Sequence, residues 1–135
     1  MPGKQAKLLS AADLNDLLVF ASCTRNAVRN RVLVLLSAKA GLRAGEIANL
    51  TWDMVVDATG RIGSVIELRD SAAKKGSGRI IPLHPVLRAA LVAWRRCSRE
   101  RVYVAASERG GPTTPLSIVV WFNRAFRDTG LQGCS

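Results

Sequence analysis

Residues 40–52 read AGLRAGEIANLTW and carry the most informative pattern in the chain. Gly41 follows an apolar helical run and supplies the positive φ that commonly ends a helix. Arg43 stands two residues after it, and Ile47 returns an apolar side chain to the core from a new, short helix. The pattern therefore predicts a helix end, an arginine at the junction, and an acidic residue, Glu46, near the start of the next helix.

Two further helices are predicted on the N-terminal side of this stretch. Ser10 and Asp13 form a capping pair at the start of the first helix, in which apolar residues recur at helical spacing. The second helix runs from about Asn26 to Lys39 and has apolar residues on one side. We expect each helix to pack one face into a common core. The apolar positions are Leu14, Leu17, Leu18 and Ala21 in the first helix, and Val28, Val32, Leu35 and Leu36 in the second.

Strand patterns follow on the C-terminal side. Residues 65–69 and 79–83 are rich in the β-branched side chains that favour strands. The connector between them, residues 70–78, combines Lys74 and Lys75 with glycine and serine. Such a composition is typical of a flexible, cationic hairpin tip. We therefore predict a small antiparallel sheet.

Two more helices complete the predicted architecture. Pro85 fits the first turn of a fourth helix, and Thr114 followed by Pro115 begins a fifth helix that ends before Gly130. An extended segment at residues 101–105 lies between them. The predicted fold class is therefore α+β, mainly α-helical with a small antiparallel β-sheet. The inward positions of the fourth helix are Leu87, Leu91 and Trp94, and the apolar positions of the fifth are Ile118, Val119, Phe122 and Phe126.

The composition places these elements in one basic domain. The chain has 135 residues, of which 48% are hydrophobic and 22% charged, as expected for a single globular core. We interpret residues 1–9 as a basic N-terminal tail and residues 10–135 as the domain. The formal net charge of +10 indicates a polyanionic partner such as nucleic acid. The apolar runs are too short for a membrane span or a signal peptide, which favours a cytoplasmic protein.

Arg43 with Glu46, and the basic segment 74–83, are the candidates for chemistry. An arginine after a glycine-closed helix is commonly a solvated cation, and a lysine-rich turn is commonly only a soluble loop. The order of these two motifs along the chain is more specific than either motif alone. An RxxE start after two apolar helices, then a lysine hairpin, then RIIPL resembles the catalytic domain of tyrosine recombinases, the phage integrases. The resemblance runs from Ser10 through the fifth helix and includes the RGGP loop at residues 109–112.

This resemblance implies a role for each of the charged residues. Arg43 corresponds to the first catalytic arginine, which contacts the scissile phosphate, and Glu46 to the acidic residue that supports the site. Lys74 or Lys75 corresponds to the hairpin lysine. Counting back from Arg79 favours Lys74, the residue we prefer, whereas the Lys-Gly dipeptide favours Lys75. The resemblance implies no metal and no other cofactor.

The chemistry of phosphodiester cleavage explains why these residue types are needed. Attack at phosphorus builds negative charge on the non-bridging oxygens, and a planar guanidinium holds two of them at once. The departing 5′ oxygen is a poor leaving group unless it is protonated, which a lysine ammonium can do as general acid. In the family, a tyrosine attacks and forms a transient phosphotyrosine that conserves the bond energy for rejoining.

The chain departs from the family pattern in its C-terminal half. Members carry a His-x-x-Arg box and a nucleophilic tyrosine after the fifth helix, whereas this sequence ends near that point. His84 has a different spacing, and we interpret it as a helix-start residue. Tyr103, the single tyrosine, is interpreted as structural. We therefore expect a truncated, partial catalytic domain that is inactive on its own. One histidine and three widely separated cysteines favour neither a metal site nor a disulfide framework.

The resemblance implies double-stranded DNA as the partner, no membrane, and self-assembly on DNA in a full-length protein; we expect this chain to be a monomer.

Two other functions stay open. A non-enzymatic helix-turn-helix regulator is one, because residues 43–52 resemble the first helix of that motif, although residues 53–60 read as extended chain and turn. A basic RNA-binding module is the other. The candidate phosphate contacts are Arg43, Lys74, Lys75, Arg79, Lys4 and Lys7, together with Arg88, Arg95, Arg96 and Arg99 of the fourth helix.

Overall fold

The computed structural model describes residues 10–69, 78–107 and 111–130. Among these residues, five α-helices accompany one two-stranded antiparallel sheet, so the predicted α+β class is confirmed. The basic tail predicted at residues 1–9 lies outside the described residues. The helices are α1 (Ala11–Ser22), α2 (Ala27–Ala40), α3 (Ala44–Asn49), α4 (Pro85–Cys97) and α5 (Pro115–Thr129), and the strands are β1 (Val65–Leu68) and β2 (Arg79–Pro82).

Helix α2 forms the centre of the molecule. Its residues 32–36 are all buried, and both α1 and α4 pack against it. The prediction of a single apolar side is therefore wrong, because neighbours cover the helix from more than one direction and every residue in its middle contacts the core. Val28, which the periodicity placed on the packed side, lies in the first turn and is 38% exposed.

Local capping interactions set the helix ends where they were predicted. The Ser10 hydroxyl accepts the backbone N–H of Asp13, and the Asp13 carboxylate accepts the backbone N–H of Ser10. Gly41 ends α2 with a φ of 68°, and Gly130 ends α5 with a φ of 77°. The hydroxyl of Thr114 caps the start of α5. These interactions explain why sequence periodicity located the helices well.

Helix α5 packs against α1 and α3. Its Phe126 is buried, and Ile118 is fully buried in the main core. Val119 was predicted in the same apolar set, but it is exposed on the other side of the helix. A second, smaller core lies between α1, α2 and α5. It consists of Leu17, Ala21, Val34, Ala125 and Phe126.

The two strands form a hairpin with one face on the core. Ile66 and Leu68 are buried, whereas their neighbours along β1 are exposed. Leu68 pairs with Arg79 at the end of the hairpin that leads into the connector. The connector residues 70–77, with the predicted Lys74 and Lys75, lie outside the described residues.

Residues 50–69 contain no second α-helix after α3. A 3₁₀ turn at Trp52–Met54 comes first, and Val56 then pairs with Ile62 around a tight turn. The backbone N–H of Trp52 donates to the carbonyl of Val102 at 2.9 Å, so the predicted extended segment before α5 pairs with this region. A helix-turn-helix motif needs an amphipathic recognition helix at this point. The helix-turn-helix alternative therefore does not fit the structure.

Candidate functional site

Arg43 lies at the junction between α2 and α3, immediately before the first residue of α3. Because Gly41 turns the chain out of α2, the Arg43 backbone is extended, with φ of −83° and ψ of 164°. Its backbone N–H donates to Oε1 of Glu46 at 3.0 Å, which satisfies one of the donors that a helix start leaves unpaired. The structure therefore fixes the backbone of Arg43 and leaves its side chain at the surface.

Glu46 is a buried carboxylate, only 7% exposed, in the first turn of α3. Arg79, the first residue of β2, donates to its Oε2 at 2.8 Å and to its Oε1 at 3.2 Å, a two-point ion pair. Burial raises the pKa of Glu46, but hydrogen bonds from Arg79 and the Arg43 backbone, with the two guanidinium charges, outweigh burial and lower it. Glu46 is therefore ionised at neutral pH.

Two ion pairs fasten the hairpin to the segment after α2. On the β2 side, Arg79 binds Glu46 of α3. On the β1 side, Arg69 binds Asp53, with 2.8 Å between the guanidinium nitrogen and the carboxylate oxygen. The chain therefore enters and leaves the 70–77 connector at two anchored points, and the β2 anchor contacts the same carboxylate that caps Arg43.

The structure brings together three of the predicted site residues, Arg43, Glu46 and Arg79. The sequence predicts Arg79 as a phosphate contact but does not predict its pairing with Glu46. The one signal for that pairing was charge complementarity between an acidic residue in a basic region and the first residue of a strand. The Arg79 side chain is 41% exposed, and its contact with DNA stays a prediction. Outside the described residues lie Lys4, Lys7, Lys74 and Lys75, so the convergence of a hairpin lysine with Arg43 also stays a prediction.

The four arginines predicted on the fourth helix divide into two groups, and one of them, Arg99, lies beyond the end of α4 at Cys97. Arg88 donates to the carbonyl oxygens of residues 62 and 63 at 2.9 and 3.1 Å. Arg95 donates to the carbonyl oxygen of Gly60 at 2.6 Å. These two side chains hold the turn before β1, an arrangement that periodicity could not reveal, and their contact with phosphate stays a prediction. The other two, Arg96 and Arg99, are exposed.

His84 and Tyr103 both make contacts within the protein. Nδ1 of His84 accepts the backbone N–H of Val86 at 3.1 Å and caps α4, which confirms its interpretation as a helix-start residue. Tyr103 is half-buried and pairs through its backbone with Thr51. It lines an open cleft of about 490 Å³ beyond the C-terminal end of α3, and Arg43 does not line this cleft. The single tyrosine and Arg43 therefore lie toward opposite ends of α3.

Neither a metal-binding cluster nor a membrane span is present among the described residues. Within residues 10–69, 78–107 and 111–130, no three His, Cys, Asp or Glu side chains lie together as metal ligands would. The helices in the same ranges all lack the combination of length and apolar content that crossing a bilayer requires. The ionisable groups that the described site offers are guanidinium and carboxylate.

Comparison with known proteins identifies the family. The sequence model of the phage integrase family matches residues 7–133, which is nearly the whole chain. The chain belongs to the phage integrase family. The match confirms the resemblance drawn from Arg43, Glu46 and the basic segment 74–83. No curated protein matches the chain.

Solved structures of recombinases share the fold of this integrase-family chain. The crystal structure of XerA recombinase matches with a TM-score of 0.73 at 23% identity, over 98% of this chain and 46% of that one. A lambda integrase tetramer bound to a Holliday junction matches with 0.70 at 20% identity, over 98% and 37%. Lambda integrase bound to DNA matches with 0.69 at 21% identity, over 98% and 47%. These matches show the fold, and the chain spans less than half the length of each structure.

Proposed function

We propose that this chain is the part of a tyrosine recombinase that binds DNA at the scissile phosphate, in a protein acting in DNA integration and recombination. The observation that carries the proposal is the Arg43 junction. There an exposed arginine extends from a backbone held by the buried, ionised Glu46, in a chain of the phage integrase family. The lambda integrase structures were solved with DNA or a Holliday junction, which supports DNA as the partner.

The charge of the chain supports the same partner. A net charge of +10 attracts a polyanion and favours rapid, salt-dependent association with a phosphate backbone. We also propose a cytoplasmic location for the chain, and self-assembly on DNA for a longer chain. The proposed phosphate contacts are Arg43, Lys4, Lys7, Lys74 and Lys75, whereas Arg79 is ion-paired with Glu46.

In the proposed reaction, Arg43 holds two non-bridging oxygens of the scissile phosphate through its planar guanidinium. A deprotonated tyrosine oxygen attacks phosphorus, the bond from phosphorus to the 5′ oxygen breaks, and Lys74 or Lys75 donates a proton to that oxygen. The 5′ hydroxyl of a new strand then attacks phosphorus and returns its proton to the lysine, which rejoins the DNA and releases the deprotonated tyrosine. We assign the nucleophile to no residue of this chain, so we propose that the chain binds DNA without cleaving it.

A binding titration across salt concentrations tests the proposal. Neutralising about six phosphates gives a slope of log affinity against log salt near −5. Arg43→Ala should weaken binding by about tenfold, because it removes a charge-assisted hydrogen bond of about 1.5 kcal/mol. It should also reduce the slope by about one unit. Fluorescence anisotropy of a short labelled duplex measures both quantities.

Arg25→Ala is the matched control for this titration. Arg25 carries the same charge and is exposed in the connection between α1 and α2, outside the junction with α3. Its removal should cost much less affinity. Equal losses of DNA affinity in Arg43→Ala and Arg25→Ala, or an affinity that does not change with salt concentration, would contradict the proposal. Preferential displacement of the DNA by duplex RNA would favour the RNA-binding alternative instead.

A further inference from the structure

The Glu46 carboxylate joins two segments that are far apart in the sequence. Its Oε1 accepts the backbone N–H of Arg43 at 3.0 Å and one N–H of Arg79 at 3.2 Å. Its Oε2 accepts a second N–H of Arg79 at 2.8 Å. Arg79 in turn pairs with Leu68 across the sheet. One buried carboxylate therefore links the backbone that carries the Arg43 side chain to the end of the hairpin.

We propose that Arg79 is a positioning residue for the Arg43 phosphate site. Through Glu46, it fixes the backbone of Arg43 and so sets the direction in which the Arg43 guanidinium meets a phosphate. This inference rests on the proposed function, because it takes Arg43 to be a phosphate contact. It gives Arg79 a role that acts through Glu46, in place of the direct DNA contact that the sequence predicts.

The planar shape of the Arg79 guanidinium is essential to this role. Its parallel N–H groups match both oxygens of the carboxylate, whereas a lysine ammonium is a point charge on a flexible chain. The terminal torsion of a glutamate is soft, so a carboxylate held at one oxygen rotates easily. Rotation moves Oε1 of Glu46 away from the Arg43 N–H. Lysine at position 79 would therefore keep the charge and lose the orientation.

Because Glu46 is buried, its ionised form depends on the hydrogen bonds that it accepts from Arg79 and from the Arg43 backbone. Burial raises the pKa of its carboxyl, and the hydrogen bonds from Arg79 are the largest of the influences that lower it. Among the residues that the structure describes, the other charged group acting on Glu46 is Arg43. Losing the two-point contact with Arg79 should therefore raise the pKa of Glu46. The backbone N–H of Arg43 reports on this change because it donates to the same carboxylate.

DNA binding by Arg79→Lys tests the positioning role. We expect the affinity to fall by about threefold or more although the net charge is unchanged. The double variant Arg43→Ala/Arg79→Lys should bind no more weakly than Arg43→Ala alone, because Arg79 acts through Arg43. Arg69→Lys is the matched control. Arg69 flanks the same connector and is also ion-paired, but its partner is Asp53.

Three results of the DNA measurement would overturn the inference. Wild-type affinity in Arg79→Lys would show that the retained charge is sufficient, as expected if residue 79 contacts phosphate directly. Additive losses in the double variant would show that Arg79 and Arg43 act independently. A loss in Arg69→Lys as large as that in Arg79→Lys would show that any disturbance of the hairpin end has the same effect.

The Arg43 amide resonance tests the coupling without DNA. In the wild type, its chemical shift should follow the ionisation of Glu46, with a midpoint below about pH 4.3, the usual value for a glutamate. Arg79→Lys should move this midpoint to higher pH, and Arg69→Lys should not. If Arg79→Lys does not fold, the wild-type titration decides alone, and a midpoint at or above the usual value overturns the inference.

The two measurements separate failure of this inference from failure of the proposed function. Absence of DNA binding by the wild-type chain contradicts the proposed function, and with it the role of Arg43 as a phosphate contact. If Arg79→Lys leaves the titration midpoint of the Arg43 amide resonance unchanged, the coupling through Glu46 is overturned, whether or not the chain binds DNA.

Discussion

Gly41 is the residue on which the placement of Arg43 most directly depends. Its φ of 68° lies in the left-handed region, and this conformation lets the chain leave α2 two residues before Arg43. Residues with a Cβ adopt it at a cost of about 1–2 kcal/mol. The backbone N–H of Arg43 must still reach Glu46 at 3.0 Å, so the turn and the cap of α3 form one local unit.

We expect Gly41→Ala to lower the free energy of unfolding by about 1 kcal/mol. Backbone conformation is the cause, because a Cβ at Gly41 would meet no atom within 4 Å. Gly45→Ala is the control, since Gly45 lies inside α3 with equally open space and no positive φ. Alanine there should be neutral or stabilising by up to about 1 kcal/mol. Urea unfolding of both variants provides the measurement, and equal destabilisation would rule out the left-handed conformation as the cause.

At the scale of elements, α4 holds the turn that leads into β1. Arg88 and Arg95 donate to carbonyl oxygens of Gly60 and residues 62–63, which form the far side of that turn. Because α4 also packs on α2, these side chains tie the turn to the centre of the molecule. Arg96 lies on the same helix and is exposed.

We expect Arg88→Ala to destabilise the protein by about 1 kcal/mol, since it leaves two carbonyl oxygens without their donor. Arg96→Ala should change stability by less than about 0.5 kcal/mol, because it removes an exposed side chain. Urea midpoints of the two variants provide the comparison. Arg88→Ala should also leave the salt slope of DNA binding unchanged. A slope reduced by about one unit in Arg88→Ala would show that this arginine contacts phosphate after all.

At the scale of the whole molecule, the separation of Tyr103 from Arg43 bears on catalysis. Arg43 lies immediately before α3. Tyr103 pairs with Thr51, which follows α3, and lines the cleft beyond the C-terminal end of that helix. A nucleophile and the group that binds the phosphate must meet at one phosphorus atom, with reacting atoms about 3–3.5 Å apart. The described arrangement does not bring these two side chains to one place.

We therefore expect the chain to form no covalent adduct with a nicked suicide substrate, which traps a phosphotyrosine after cleavage. Denaturing gel electrophoresis of the chain with labelled DNA provides the measurement. Tyr103→Phe should bind DNA with the same affinity as the wild type, because the tyrosine is expected to serve only in packing. An adduct that forms with the wild type and disappears in Tyr103→Phe would refute this expectation.

Much of the fold was predictable from signals that act over a few residues. The Ser10–Asp13 pair, Gly41 and Gly130 mark helix ends through interactions within one turn, and each lies where it was predicted. The predicted hairpin strands are also present. The burial of α2 was not predictable in the same way. Val28 obeys helical periodicity as well as Val32 does, and only its neighbours determine which of the two is covered.

One part of the candidate site was likewise predictable from local sequence patterns, and another part was not. The order of the RxxE start, the lysine hairpin and RIIPL made Arg43 and Glu46 candidates and indicated the family, and the cap between these two residues is local because a helix start places residues three apart on one turn. The partner of Glu46 is 33 residues away in the chain, and no local pattern specifies that pair.

Local sequence chemistry thus determined the helices, their ends and the family to which the chain belongs. Packing determined which residues of α2 are covered and that Arg79, Arg88 and Arg95 bind protein groups. The reason is physical: capping and periodicity operate through hydrogen bonds and side chains within one turn, whereas long-range ion pairs exist only after separate elements have packed against each other.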